Sequence, residues 1–251
     1  MAQQQDGQSA VLAVRGDRVE VGDWSADLSQ VIATDVELRV MLREGRTVEA
    51  RALMHARCDE EQAALVAIDS NPEEVLSLTA MDEAGRPGYE PRVVDRLPTA
   101  VLTDLIAPSG TKLVRFNTGV LATMSPDTFT RTVDDTIDPI YHHSHRSQVS
   151  WEWLSAVAAL DDVNKIAQLL WDVGPSLLED ALLERVDDFG MNDTSLGIPG
   201  FRTVSESGGG LMLPPMKDGM GSDVLATLHA AAPELLADAI RSAWEQSGAL
   251  R

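Results

Sequence analysis

The stretch from Val36 to Met81 constrains the fold of this chain more than any other part of the sequence. In Val36–Leu42 (VELRVML), apolar residues alternate with polar or large ones, which is the period of a half-buried β-strand. Arg43–Arg46 supplies a glycine-bearing turn, and Thr47–Ala56 resumes an extended pattern. The stretch therefore predicts successive strands arranged as an antiparallel meander.

Other parts of the first half also predict strands. Gln62–Ile68 and Val75–Met81 are apolar runs on either side of a dense turn signal. Near the start, Ala10–Val14 and Arg18–Val21 flank a turn at Gly16, which predicts a hairpin. Leu97–Ile106, with Pro98 in its first turn, predicts a helix, whereas Thr111–Phe116 predicts a strand and Thr118–Met124 another. Apart from that helix, we therefore expect residues 10–124 to be rich in β-structure.

The second half has a different pattern. Asp127 to about Ile137 predicts a short helix that stops before Pro139. From Trp151 to Val173 apolar residues recur near helical spacing, which predicts one long helix, and Ser176–Asp188 continues as a further amphipathic segment. Phe201–Val204 and Leu211–Leu213 predict a hairpin around Ser207–Gly210. The sequence as a whole predicts an α+β fold, with an antiparallel meander sheet packed by helices that come mainly from the C-terminal half. We expect residues 1–9 to form a flexible tail and residues 10–251 to form one domain, with a possible sub-division into a β-rich part, 10–124, and a helix-rich part, 125–251.

The charge of the chain excludes several classes of partner. Forty acidic residues against twenty basic ones give a formal net charge of −20 and a pI of about 4.4. Such a surface repels phosphate backbones and anionic lipids, so we expect neither nucleic-acid binding nor membrane insertion. The charge also favours solubility.

The compartment is predicted from cysteine use and from the absence of targeting signals. Cys58 is the single cysteine, so no intramolecular disulfide can form. Its acidic neighbours, Asp59, Glu60 and Glu61, are expected to raise the thiol pKa, which disfavours a nucleophilic role. Met1–Ser9 has neither the basic nor the apolar region of a signal peptide, and no apolar run reaches the length of a membrane span. We expect a cytoplasmic protein.

A histidine-rich segment offers one candidate metal site. Three of the five histidines, His142, His143 and His145, lie in one short stretch behind Asp138. Imidazole and carboxylate groups are ligands for divalent metals. His143 and His145 share a face if the segment is extended, whereas His142 and His145 do so if it is helical. The spacing matches no metalloenzyme motif, so a solvated loop is the alternative interpretation.

A second candidate site is apolar. Leu211–Met216 (LMLPPM) is methionine-bearing, punctuated by prolines and adjacent to the glycine run Gly208–Gly210. Methionine side chains adapt to varied partners, so this segment is a candidate docking surface. The alternative is an edge strand that runs into the core. The residues concerned are Leu211, Met212, Leu213, Pro214, Pro215 and Met216.

The order of the predicted elements resembles the EspG family, the cytosolic chaperones of actinobacterial type VII (ESX) secretion. The resemblance is carried by the meander VELRVMLREGRTVEARALMHA, by QAALVAIDS and VLSLTAMD, and by LPTAVLTDLIAPSGTKLVRFNTGVL, in which a short helix and a proline-glycine break precede another strand. FRTVSESGGGLMLPP and the stretch from Ser222 are comparable to the final sheet segment and C-terminal helix of that family. The resemblance implies a helical secretion substrate of the PE/PPE kind as partner.

The sequence favours a binding protein over an enzyme. It contains no G-x-S-x-G elbow and no GxxxxGK phosphate loop, and no acid–base pair can be assigned from neighbouring residues. We therefore expect a non-enzymatic, cofactor-free, protein-binding chaperone or adaptor of the EspG type. The alternatives are a phage structural or assembly protein, and a metal-dependent enzyme built on His142, His143, His145 and Asp138.

Overall fold

The computed structural model describes residues 12–21, 23–81, 85–106, 116–183, 202–204, 210–212 and 219–249. In these ranges the fold is α+β and mostly helical, with short antiparallel strand pairings. The chain divides into two compact units, Met1–Thr128 and Phe129–Arg251. This boundary lies close to the sub-division predicted after residue 124.

A three-stranded antiparallel sheet begins the first unit. Its strands are β1 (Leu12–Arg15), β2 (Arg18–Val21) and β3 (Trp24–Asp27), in that order. Gly16, with φ +64°, makes the turn between β1 and β2, so the hairpin predicted there is confirmed. Val19 and Val21 of the central strand are buried and join the sheet to the core of this unit.

Helices make up most of the rest of the first unit. They are α1 (Leu28–Arg43), α2 (Thr47–His55), α3 (Asp59–Ile68), α4 (Pro72–Leu76), α5 (Pro91–Val94), α6 (Thr99–Ile106) and α7 (Thr118–Thr123). A two-residue pairing of β4 (Ala80–Met81) with β5 (Pro87–Gly88) lies between α4 and α5. The helix predicted to end at Ile106 is confirmed.

The predicted meander from Val36 to Met81 is wrong, because α1 to α4 occupy almost all of it. The alternation in Val36–Leu42 suggested a strand, but its apolar residues belong to two different faces of one helix. Leu38 is buried, whereas Val36 and Val40 are solvent-exposed. The helical period is visible one turn earlier, in Val31, Asp35 and Leu38, which are the buried residues of α1. The prediction that residues 10–124 are rich in β-structure is wrong for the same reason.

The turn at Gly45 ends a helix and does not join two strands. Gly45 has φ +72°, its N–H donates to the Leu42 carbonyl at 3.0 Å, and the Arg46 N–H donates to the Met41 carbonyl at 2.9 Å. These two bonds form a Schellman motif, in which a left-handed residue satisfies the last carbonyls of a helix. Gly45, which lies between two apolar runs of the sequence, therefore marks the end of a helix.

The next helices begin at sequence signals of their own. Asp59, Glu60 and Glu61 form the first turn of α3, where carboxylates interact favourably with the helix dipole. Pro72 opens α4, a position where its missing N–H costs nothing. Farther along, Thr118–Met124, which we expected as a strand, contains α7, whose N-cap Asn117 accepts a hydrogen bond from the Val120 N–H.

The second unit is built from helices around an apolar core. The elements that lie wholly or mainly in it are α8 (Pro126–Ile137), α9 (His143–Ala158), α10 (Val163–Val173), α11 (Pro175–Leu183), β6 (Arg202–Val204), β7 (Gly210–Met212), α12 (Gly219–Ala231) and α13 (Pro233–Ala249). Helix α11 packs against α9 and α13, and α12 packs against α10 and α9. The rings of Phe129 and Trp153 meet edge to face, with centroids 5.8 Å apart.

Two sequence predictions in the second unit are confirmed and one is corrected. The helix predicted to stop before Pro139 is α8, and β6 pairs with β7 as the predicted hairpin. The continuous helix predicted from Trp151 to Val173 is two helices. Asp162 separates them because its carboxylate caps α10, accepting hydrogen bonds from the N–H groups of Asn164 and Lys165.

Some predictions fall outside the described residues, among them the tail at residues 1–9 and, except for its last residue, the strand predicted at residues 111–116. Among the helices of the described ranges, none combines the length and the apolar character that crossing a membrane requires.

Candidate functional site

Helix α1 carries the candidate site, and its first turn is fixed by a capping residue. The carboxylate of Asp27 accepts a hydrogen bond of 2.8 Å from the Ser29 N–H, in the manner of an N-cap. The backbone N–H of Leu28 also donates to the Asp17 carbonyl at 2.7 Å, which joins the helix start to the turn between β1 and β2. The orientation of α1 is therefore set from its first residue.

One face of α1 is apolar yet exposed. Ile32, Val36 and Val40 have relative exposures of 47%, 54% and 42%. Their spacing of i, i+4 and i+8 places them in one ridge along the helix, which we call the α1 stripe. All three are β-branched, and β-branched residues favour a helix less than alanine or leucine does. Helix stability therefore gives no reason for these residues at solvent-facing positions.

A charged cluster lies beside the α1 stripe, because Arg39 is about 60° and Asp35 about 100° around the helix from Val36. Nε of Arg39 lies 3.0 Å from Oδ2 of Asp35 and 2.9 Å from Oδ2 of Asp69, which follows the last residue of α3. The side chains of Asp35 and Asp69 are only 8% and 3% exposed. Oδ1 of Asp35 is buried and accepts no hydrogen bond from a protein donor. The guanidinium group of Arg39 thus forms ion pairs with two buried carboxyl groups.

The two carboxyl groups titrate as a pair. Burial raises the pKa of Asp35 to about 6, and the hydrogen bond and charge of Asp69 act in the same direction, while Arg39 opposes them. Burial also works to raise the pKa of Asp69. Hydrogen bonds from Asp35, the Asn71 backbone and Arg39 outweigh it, so the pKa of Asp69 is lowered. The pair therefore holds one proton at mildly acid pH.

A small polar pocket of about 250 Å³ adjoins this cluster. Its lining combines two cations of α1 with acidic and polar groups of the α3–α4 connection and of α4: Arg39, Leu42, Arg43, Asp69, Ser70, Asn71 and Glu74. The Asp69 carboxylate is already engaged by Arg39 and by the Asn71 N–H. Asp35 is not part of the lining, so a molecule in the pocket does not reach the carboxyl group of raised pKa. The ion pairs of Arg39 join α1 to the residue that follows α3.

The predicted metal ligands are not brought together. His142 is the N-cap of α9, and His143 and His145 lie in its first turn, all exposed. Asp138 is also exposed and lies 4.0 Å from a guanidinium nitrogen of Arg146. Within the ranges that the structure describes, no three His, Cys, Asp or Glu side chains are placed to hold one metal ion. The segment is the solvated start of a helix.

The predicted docking segment is only partly described. Leu211 and Met212 lie in β7, where Leu211 pairs with Thr203 and Met212 pairs with Arg202. Leu213, Pro214, Pro215 and Met216 lie outside the described residues. The docking role of Leu211–Met216 stays a prediction.

The thiol pKa of Cys58 is raised as predicted, although burial contributes more to the shift than the acidic neighbours do. Cys58 is exposed and precedes the first turn of α3. Partial burial raises the pKa of the thiol, and the Glu60 hydrogen bond and the Glu60 and Glu61 charges add to this, although the Glu61 N–H opposes it. The prediction of a raised thiol pKa is confirmed.

A second exposed apolar feature lies in the other unit. Trp171, on α10, is 56% exposed, and Val163 lies two turns earlier on the same helix and is also exposed. Tryptophan is a frequent anchor in protein interfaces. Trp171 therefore marks a second candidate binding surface, and experiments must distinguish it from the α1 stripe.

Comparisons with protein-family models, with curated proteins and with solved structures find no significant match to this chain. The resemblance to the EspG family stays a prediction. The segments compared with the strands of that family, from Val36 to Met81, are largely helical, so the resemblance does not rest on shared strands.

Sequence reasoning missed both features of α1. The α1 stripe carried a signal that was available, since Ile32, Val36 and Val40 repeat every four residues. No signal in the sequence indicated the contact of Asp35 with Asp69, because 34 residues separate them and only the packing of α1 on α3 brings them together.

Proposed function

We propose that this protein is a non-enzymatic, cytoplasmic protein-binding adaptor or chaperone that captures a helix of its partner on the α1 stripe. The observation that carries the proposal is the ridge of three exposed β-branched side chains on a helix whose other face is buried. Amphipathic helices bind apolar surfaces through anchors at such spacings. A docked partner would remove from water the apolar area that the folded chain leaves exposed.

The geometry of the α1 stripe favours a helical partner. Side chains at i, i+4 and i+8 form a ridge that fits the groove between equivalent ridges of a second helix, with the axes crossing at about 50°. Ile32, Val36 and Val40 are stiff at χ1, so little side-chain freedom is lost on binding.

The charge of the chain favours a basic partner. Two copies that each carry a net charge of −20 repel one another, which disfavours self-association. A partner helix with lysine or arginine beside its apolar face would gain from the same field, mainly in its association rate. We therefore propose a basic amphipathic helix as the bound element. A helical secretion substrate, as the EspG resemblance implies, and a component of a phage assembly both remain candidate sources of this helix.

Affinity capture from the host organism, with charge-matched variants, tests this proposal. Val36→Asp places a carboxylate on the α1 stripe and should weaken capture of the partner at least tenfold, because a desolvated charge opposes docking. Gln30→Asp is the control, since Gln30 is exposed on the same helix about 120° away from Val36.

Equal capture by the wild type and by Val36→Asp would contradict the assignment of the α1 stripe. Loss of capture in Trp171→Ala, with Val36→Asp unaffected, would move the binding surface to the second unit. Recovery of partners that contain no basic amphipathic helix would contradict the proposed partner chemistry.

A further inference from the structure

The buried cluster of Asp35, Arg39 and Asp69 has a role that protein binding does not require. Two carboxyl groups and one guanidinium carry a net charge of −1 when both acids are ionised. Two of the three side chains are more than nine-tenths buried. An uncompensated buried charge is costly, and a proton is the smallest group that can remove it.

A proton would also satisfy the hydrogen bonding of the cluster. An ionised carboxylate only accepts, so two of them cannot hydrogen-bond to each other. Oδ1 of Asp35 is buried and receives no donor from the protein. The hydrogen bond between Asp35 and Asp69 therefore requires a proton on one of them, as in other carboxyl pairs that share one proton.

We propose that Asp35, Asp69 and Arg39 form a proton-dependent clasp, in which one shared proton holds α1 against the end of α3 and releases part of that hold as the pH rises. Asp35 belongs to α1 and Asp69 follows α3, so the clasp joins two helices that are close in space and distant in sequence.

Among the described residues, two charged groups are the main charged influences on the pKa of Asp35. Asp69 and Arg39 act on it directly, and Arg39 is the cation of the cluster. Arg43 of α1 and Glu74 of α4 line the adjoining pocket.

Charged groups on the other elements that pack against α1 are engaged elsewhere. On α2, Glu49 accepts a hydrogen bond from Arg46, and Arg51 donates to the sulfur of Met81. On β3, Asp27 caps α1 through Ser29. None of these groups is among the main causes of the raised pKa of Asp35.

The direction of the pH effect follows from the raised pKa. In the unfolded chain Asp35 titrates near 3.8, and in the folded protein near 6. The contribution of Asp35 to stability is therefore complete below the unfolded value and is lost as the pH rises through about 6. Asp69 has a lowered pKa, so its contribution changes only at more acid pH. Between pH 5 and pH 7.5 the folding equilibrium constant should therefore fall roughly tenfold through the titration of Asp35.

Hydrogen exchange of the α1 amides in the full chain tests the clasp. After correction for intrinsic rates, protection in the wild type should fall about tenfold from pH 5 to pH 7.5. Asp35→Asn imitates the protonated carboxyl, because its amide donates where the acid O–H would, and it should abolish this difference. Glu37→Gln, which removes an exposed carboxylate from the same helix, should retain it.

The same pH dependence in Asp35→Asn and in the wild type would overturn the proposal. If Asp35→Asn fails to fold, the Asp35 carboxyl can be titrated in the wild type by carbon-13 NMR. An apparent pKa near 6 supports the clasp, and one below 4.5 overturns it. Neither result affects the proposed binding function, because no partner is present in either measurement.

Discussion

Val36 and Leu38 are two residues apart and lie on opposite faces of α1, with Val36 54% exposed and Leu38 fully buried. The helical period puts about 200° between them. Leu38 therefore contributes to the core of the first unit, whereas Val36 contributes to the α1 stripe. A substitution at each position should separate stability from binding.

Alanine substitutions at these two positions should have opposite consequences. Val36→Ala should leave the free energy of unfolding unchanged or raise it by up to about 0.5 kcal/mol, because alanine favours a helix more than valine does. Leu38→Ala should cost about 2–5 kcal/mol, through the cavity that it leaves. Urea unfolding followed by circular dichroism measures both. A loss above about 1 kcal/mol in Val36→Ala would show that Val36 is part of the core.

Arg39→Met should destabilise the first unit, and more so at pH 7.5 than at pH 5. At pH 7.5 it leaves two buried carboxylates without a cation, which is costly. At pH 5 the shared proton removes part of that charge. Arg46→Met is the matched control, since Arg46 pairs with Glu44 and Glu49 at the surface. Equal losses at both pH values, measured by urea unfolding, would contradict the account of the clasp.

Gly45→Ala should cost about 1 kcal/mol of stability. The φ of +72° at Gly45 is strained for an L-residue, although the space that an added Cβ atom would occupy is open. Gly45→Asn should cost less, because asparagine tolerates this conformation better. Thermal unfolding of the two variants checks the order. A neutral alanine substitution would show that the helix stop at Gly45 is not maintained in solution.

Cys58 should react slowly with thiol reagents at neutral pH despite its exposure. Its raised pKa reduces the thiolate fraction, and the thiolate is the reactive form. Glu60→Gln should accelerate alkylation by iodoacetamide, because it removes one group that raises the pKa. Glu90→Gln, which changes a carboxylate that does not act on the thiol, is the control. A wild-type rate equal to that of a free cysteine peptide would contradict this prediction.

Local signals in the sequence predicted the parts of the fold that depend on few residues. The Gly16 hairpin, α6 and α8 were predicted correctly because a glycine turn or a proline at a helix start determines each of them. Helix α1 was missed because the β-branched residues of the α1 stripe imitate the composition of a strand. Gly45 was misread because hairpin turns and helix ends both use glycine at positive φ.

The candidate sites were harder to predict than the helices. His142, His143 and His145 are neighbours in sequence, yet the structure places them at an exposed helix start. Asp35 and Asp69 are distant in sequence and nevertheless act on each other through a hydrogen bond and charge. Proximity in the sequence is thus a weak guide to side-chain clusters, because tertiary packing decides which charges become buried together.

Site-specific photo-crosslinking in host cells tests the central claim most directly. A photoreactive amino acid at position 36 should give one discrete adduct, and mass spectrometry should place the crosslink within a basic amphipathic helix of another protein. The same probe at position 30, on the same helix but away from the α1 stripe, should give little or none. Equal adducts from both positions, or an adduct formed only from position 171, would contradict the assignment of partner binding to Ile32, Val36 and Val40.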